Sequence, residues 1–155
     1  MIKKRYILIP LVVLSIGVVF IGILAYFLFF RDTEVVFAAT EVGMPVGPNV
    51  TKEIGAAGGT LASPDGRLIL KVPANVLTET RAFTIQPITN KIEGGLGLAY
   101  RLEPDGSKFT IPVELSFHYD DKDLTGTIPE MLSFAYQDKE GAWHEMKGNK
   151  LDRDA

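Results

Sequence analysis

The pattern of apolar and polar positions divides the chain into one unbroken apolar block and a long run of short alternations. Residues 6–30, "YILIPLVVLSIGVVFIGILAYFLFF", carry no charge. As a helix, a block of this length measures about 37 Å at 1.5 Å per residue, against a hydrocarbon core of about 30 Å. The block therefore predicts one transmembrane helix with some tilt. Pro10 falls in its first turns, where a missing N–H costs least. Gly17 and Gly22 lack the four-residue spacing of a close-packed helix dimer.

Residues 31–50, "RDTEVVFAATEVGMPVGPNV", predict a stalk. Gly43, Pro45, Gly47 and Pro48 interrupt any helical period, and a short strand fits within residues 34–40. From residue 51 onward short alternating runs recur between turn signals, which is the all-β pattern. In Ser63-Pro64-Asp65-Gly66 the proline supplies the φ of a type I turn and the glycine lets the chain rejoin a strand. Residues 59–62 and 67–72 should therefore pair as a hairpin, with Leu68, Leu70 and Val72 facing a core. The same sequence of turn residues recurs at Glu103-Pro104-Asp105-Gly106. In residues 112–119, Val113, Leu115, Phe117 and Tyr119 alternate with Glu114, Ser116 and His118, a half-buried strand. Leu132, Phe134 and Tyr136 alternate in a further strand, which a turn at residues 138–141 leads into "AWHEMKG". No helical stripe follows the apolar block. The expected architecture is an antiparallel β-sandwich over residues 51–155, after the anchor and the stalk.

Composition sharpens the picture at three points. The apolar block is too long for the 7–15-residue core of a cleaved signal peptide, and Arg31, Asp32 and Glu34 separate it from the small-residue site at 36–38. An uncleaved anchor is the expectation. Lys3, Lys4 and Arg5 in the flank at residues 1–5 place the N-terminus in the cytoplasm and everything after Phe30 outside. Of 16 basic and 19 acidic residues, those three basic ones precede the block, so 13 face 19 beyond it, a net charge of −6. That balance argues against nucleic acid and against an anionic membrane surface as partners of the outer domain. The chain has no cysteine, which removes disulfides, thiolate nucleophiles, cysteine metal sites and a cysteine-linked lipid together. A small external domain without disulfides has to hold itself by its apolar core.

Four segments together resemble the ZU-five domain, the β-sandwich module of ankyrins, netrin receptors, tight-junction scaffolds and bacterial envelope proteins. They are "GAAGGTL", "SPDGRLILKVPANVL", "LEPDGSKFTIPVELSFHY" and "AYQDKEGAWHEM". The resemblance lies in the glycine pair before a strand, the strand ending at Pro73, the set Pro104, Gly106, Phe109, Pro112 and Val113, and the late Trp143. It covers about residues 54–146. The family usually has glycine where this chain has Asn75, a residue that tolerates left-handed φ. Some members cut themselves at a His-Phe-Ser near the end of the domain. This chain has none, and His118-Tyr119-Asp120 lies in a different strand. The resemblance implies a non-enzymatic interaction or scaffolding module. It also implies that "GNKLDRDA" begins a further element, with a closing strand beyond residue 155.

Candidate chemistry is sparse, and no catalytic residue or cofactor is expected. Asp121, Asp123 and Thr125 match the first half of a calcium loop, but the closing bidentate glutamate would fall at Leu132. A solvated turn is the expectation there. His118 shares a polar face with Glu114 and Ser116, where an exposed strand offers no oxyanion site. Gly58-Gly59 lacks the helix and lysine of a phosphate loop, so close packing or a positive φ explains it better. Trp143 is expected in the core. The resulting function is a single-pass membrane protein displaying a protein-binding or envelope-scaffolding module outside the cell membrane. The alternatives are an autoprocessing domain whose cleavage strand lies beyond residue 155, and a carbohydrate-binding sandwich with exposed aromatics such as Tyr100 or Trp143.

Overall fold

The computed structural model describes residues 36–152. The apolar block at 6–30 and its flanks lie outside the described residues. Among those described, no helix is long and apolar enough to cross a membrane. The described residues are all-β: nine strands form three antiparallel three-stranded sheets. In chain order the strands are β1 (Val36–Phe37), β2 (Val50–Ile54), β3 (Gly59–Ala62), β4 (Leu68–Val72), β5 (Arg81–Ile88), β6 (Ala99–Glu103), β7 (Glu114–Phe117), β8 (Ala135–Gln137) and β9 (Trp143–Glu145). Helical turns of the 3-10 type occur at Asp121–Leu124 and Pro129–Met131.

Two sheets share one core, an arrangement consistent with a β-sandwich. In the order β2-β5-β6, register aligns Val50, Ile85 and Leu102 in one cross-strand row. In the order β3-β4-β7, register aligns Leu61, Leu70 and Leu115. Both rows belong to the same apolar cluster, with Ile54, Leu68, Val72 and Phe83. Ile85 is fully buried, so truncation to alanine would cost about 2–5 kcal/mol. Phe83 stacks on Phe109 at 6.3 Å, and Tyr100 meets the edge of Phe117 at 6.0 Å. The second pair connects the two sheets, and the first ties the segment between β6 and β7 to β5.

The β3–β4 hairpin forms as the alternation predicts, with Leu68, Leu70 and Val72 buried. Its turn closes with Gly66 N–H donating to the Ser63 carbonyl at 2.9 Å, and Gly66 has φ +73°. At the other end of β4, Asn75 takes φ 65°, the left-handed conformation that its position asks for. Its N–H donates to the Ala56 carbonyl at 2.8 Å. A Cβ on Gly58 would lie 2.4 Å from the Val72 carbonyl oxygen. The glycine pair is thus the place where one chain segment rests on the corner after β4. Val76 and Leu77 follow that corner into the core.

The third sheet, in the order β1-β9-β8, buries Trp143. Residues 36–49, expected as stalk, instead lie against the domain. β1 pairs with β9 in the register Val36↔His144 and Phe37↔Trp143. Thr40 N–H donates to the Gly141 carbonyl at 2.9 Å, and Pro45 forms a bridge to Ile88. The physical reason is that these glycines and prolines break helices but not extended pairing at a sheet edge. Two predicted strands are shorter than their alternation. β7 covers Glu114–Phe117, and β8 begins only at Ala135, with Leu132 and Phe134 before it.

Candidate functional site

Asp65 gathers the densest polar cluster of the described residues. The β3–β4 turn places it beside Ser63, which is buried at 4% exposure because its backbone pairs with Leu68 on the core side. Ser63 Oγ donates to Asp65 Oδ1 and accepts from Leu68 N–H at 2.9 Å. Arg67 N–H donates to the same carboxylate oxygen at 3.2 Å. The other oxygen, Oδ2, accepts from Tyr100 OH on β6 at 2.6 Å. Burial works to raise the Asp65 carboxyl, but the bonds from Ser63, Tyr100 and the Arg67 backbone outweigh it and hold the group below the usual carboxylate range. Burial, and then the bond to Asp65, pushes the Tyr100 phenol well up.

Arg67 extends the cluster to the segment after β7. Its guanidinium pairs with Asp120 Oδ2 and Asp123 Oδ2, each at 2.8 Å. Asp123 Oδ2 also accepts Asp120 N–H at 2.9 Å, and Lys122 Nζ sits 2.7 Å from Asp120 Oδ2. The backbone bond from Asp120 leads the effects that lower the Asp123 carboxyl; the bond from Lys122 leads those that lower Asp120. Of the calcium candidates, then, Asp123 faces Arg67, while Thr125 Oγ1 donates to the Lys122 carbonyl and Asp121 is exposed. The segment is a 3-10 turn closed on itself, not a loop opening toward a common point. Among the described residues no group of three or more His, Cys, Asp or Glu is placed to hold a metal.

The Pro-Asp-Gly pairs differ from each other. Pro64, Asp65 and Gly66 make the turn described above. At Pro104, Asp105 and Gly106 the Glu103–Pro104 peptide is cis, and Ser107 Oγ donates to the Pro104 carbonyl at 2.7 Å. Gly106 has φ +68°, so the demand for glycine is met at both. Identical turn residues do not specify the same turn, because the strands they join differ: a two-strand hairpin at the first, a passage from β6 toward β7 at the second.

A second cluster sits on the β8–β9 hairpin. His144 Nε2 lies 2.8 Å from Asp138 Oδ2, and Asp138 Oδ1 accepts Ala142 N–H at 2.8 Å. The bond with His144 leads the effects that hold the Asp138 carboxyl low. Tyr136, opposite His144 in register, stacks on the imidazole at 5.2 Å. Trp143 Nε1 donates to Thr40 Oγ1 at 2.9 Å. Trp143 is therefore core, as expected, and Tyr136 is the exposed aromatic of this hairpin. His118 is exposed, on the face that the alternation assigns to it.

Both clusters bind themselves. Ser63 has its hydroxyl occupied as donor and as acceptor, and its neighbour Asp65 accepts three bonds. Among the described residues no buried side-chain nitrogen or oxygen lacks a partner. Such an arrangement joins chain segments far apart in sequence and fixes the ends of strands. The sequence places Ser63 and Asp65 in one turn, Asp138 in another and Tyr100 among candidate exposed aromatics, but it does not join Asp65 to Tyr100, Arg67 to Asp120 and Asp123, or Asp138 to His144. The Ser-x-Asp spacing signals local side-chain bonding; the pairings of Arg67 and Tyr100 span 53 and 35 positions and leave no local signal. No family model, curated protein or solved structure matches the chain.

Proposed function

We propose that the chain is a single-pass membrane protein that displays a non-enzymatic β-sandwich outside the membrane, as a module for protein–protein interaction or envelope scaffolding. The observation that carries this reading is the junction of two patterns in one chain. An uncharged block at 6–30, preceded by Lys3, Lys4 and Arg5, runs directly into an all-β unit. The four segments resembling the ZU-five module support the interaction role, as does the acidic balance beyond the block. Cross-linking intact expressing cells with a membrane-impermeant lysine reagent tests the role. Lys52, Lys71, Lys108 and Lys139 are exposed. A discrete higher-mass adduct of the full chain is expected; a chain that stays monomeric at every reagent concentration contradicts it.

A further inference from the structure

Residues 42–46 leave apolar side chains exposed beside the end of β5. Strands on a protein surface turn apolar side chains inward and polar ones to water. Of residues 42–46 Gly43 alone is not exposed, and a Cβ on it would lie 1.9 Å from the Thr89 carbonyl oxygen. The alternate positions, Val42, Met44 and Val46, are exposed at 49%, 70% and 39%. The segment is held by the end of β5. Met44 N–H donates to Thr89 Oγ1 at 2.9 Å, Thr89 N–H to the Met44 carbonyl at 2.8 Å, and Val46 N–H to the Pro87 carbonyl at 2.8 Å. Val36 and Phe37, earlier in the same strap, are exposed as well. Across residues 36–46 the one charge is Glu41. Scattered apolar residues on a surface need no explanation, but five on one strap of eleven residues do.

We infer that this strap is a lipid-contacting edge, with Val42, Met44 and Val46 seated in the interfacial layer of a zwitterionic bilayer surface. The inference rests on the reading of residues 6–30 as a membrane span. Chain length supplies the occupant. Residues 31–35 alone separate Phe30 from Val36, and a fully extended chain covers at most about 3.3–3.6 Å per residue, about 20 Å in all. A bilayer that holds residues 6–30 is thus the apolar phase within reach of the start of the strap, at Val36 and Phe37. The net charge of −6 beyond the block selects against anionic headgroups, so the matching surface is a zwitterionic one. Insertion of the three side chains places apolar surface in the interface, as for amphipathic segments that lie on membranes.

The chain has no cysteine, so nitroxide labels can be placed one at a time in the full-length protein. Met44→Cys, Lys108→Cys and Leu24→Cys are reconstituted in phosphatidylcholine vesicles. Each label's collision rate is measured with oxygen, which partitions into lipid, and with a water-soluble nickel chelate. The expected result is an oxygen-to-nickel ratio at position 44 severalfold above that at 108 and below that at 24. A ratio at 44 equal to that at 108, with 24 reporting lipid, overturns the inference while leaving the span intact. A water-like label at 24 overturns the span and the inference with it. Protection of 44 from both reagents, with spin–spin broadening between chains, means that a second copy covers the strap and also overturns it.

Discussion

The hydroxyl of Tyr100 donates a 2.6 Å hydrogen bond to Oδ2 of Asp65, a residue 35 positions earlier in the chain. The bond joins the β3–β4 turn of one core sheet to β6 of the other. Tyr100→Phe keeps the ring against Phe117 and removes this bond alone. The expected loss is about 1 kcal/mol, below the ~1.5–3 kcal/mol of a bond to a charged group because the Asp65 side chain meets solvent. Asp65→Ala removes three accepted bonds at once and should cost more. Urea melts of both variants and of the double variant check this. If the two single losses simply add, the residues are not coupled.

Acid stability follows from the same group. Asp65, Asp120, Asp123 and Asp138 are all held below the ordinary aspartate value of about 3.9. The unfolded chain therefore takes up protons first as the pH falls. The stabilisation is complete above the unfolded value, falls away below about pH 4, and is lost as the pH passes through the lower folded values. Melting temperatures should be flat near neutrality and drop below about pH 4. Asp65→Asn should show a smaller drop than the parent chain. Equal drops would mean that Asp65 is not held low.

Gly66 and Gly58 share a left-handed φ but differ in their surroundings. A Cβ on Gly66 meets nothing within 4 Å, whereas one on Gly58 meets the Val72 carbonyl oxygen at 2.4 Å and the Pro73 carbonyl carbon at 2.7 Å. Gly66→Ala should cost about 1 kcal/mol from backbone conformation alone. Gly58→Ala should cost at least twice that, because backbone has to move. Asn75→Gly should be close to neutral and Asn75→Val clearly destabilising. Thermal melts that rank Gly66→Ala as the worse of the two alanines would contradict the assignment.

The chain has a single tryptophan, and Trp143 reports on the strap directly. Thr40 Oγ1 accepts both Trp143 Nε1 at 2.9 Å and Gln137 Nε2 at 3.2 Å. Thr40→Ala should destabilise by about 1–2 kcal/mol and raise the quenching of Trp143 fluorescence by iodide. If stability and quenching are both unchanged, residues 36–46 are not docked on the third sheet.

Calcium should leave the melting temperature unchanged, since Asp123 already faces Arg67 at 2.8 Å. A calcium-dependent rise that Asp121→Asn abolishes would restore the metal site.

Local chemistry was legible in the sequence wherever neighbouring residues decide it. Pro64 and Gly66 announced the hairpin turn, Asn75 the left-handed corner, and the alternation of residues 113–119 the strand beside β4. The segment at 36–49 was not legible as part of the domain, because Gly43 and Pro45 break periodicity whether a chain hangs free or lies flat against a sheet edge. What distinguishes the two cases is the partner at Thr89 and Ile88, more than forty positions away. The same holds for Arg67, whose role depends on where the topology brings Asp120 and Asp123. The difference between the Pro64 and Pro104 turns likewise lies in the strands they connect, not in their own residues.

On the proposed topology, residues 1–5 and the β-domain lie on opposite sides of a membrane. Single cysteines at Ile2 and Lys108 in the full chain, treated in intact cells with a membrane-impermeant maleimide, test it most directly. Lys108→Cys should be labelled without permeabilisation and Ile2→Cys only after it. Labelling of Ile2→Cys in intact cells, or protection of Lys108→Cys until the membrane is opened, would contradict it.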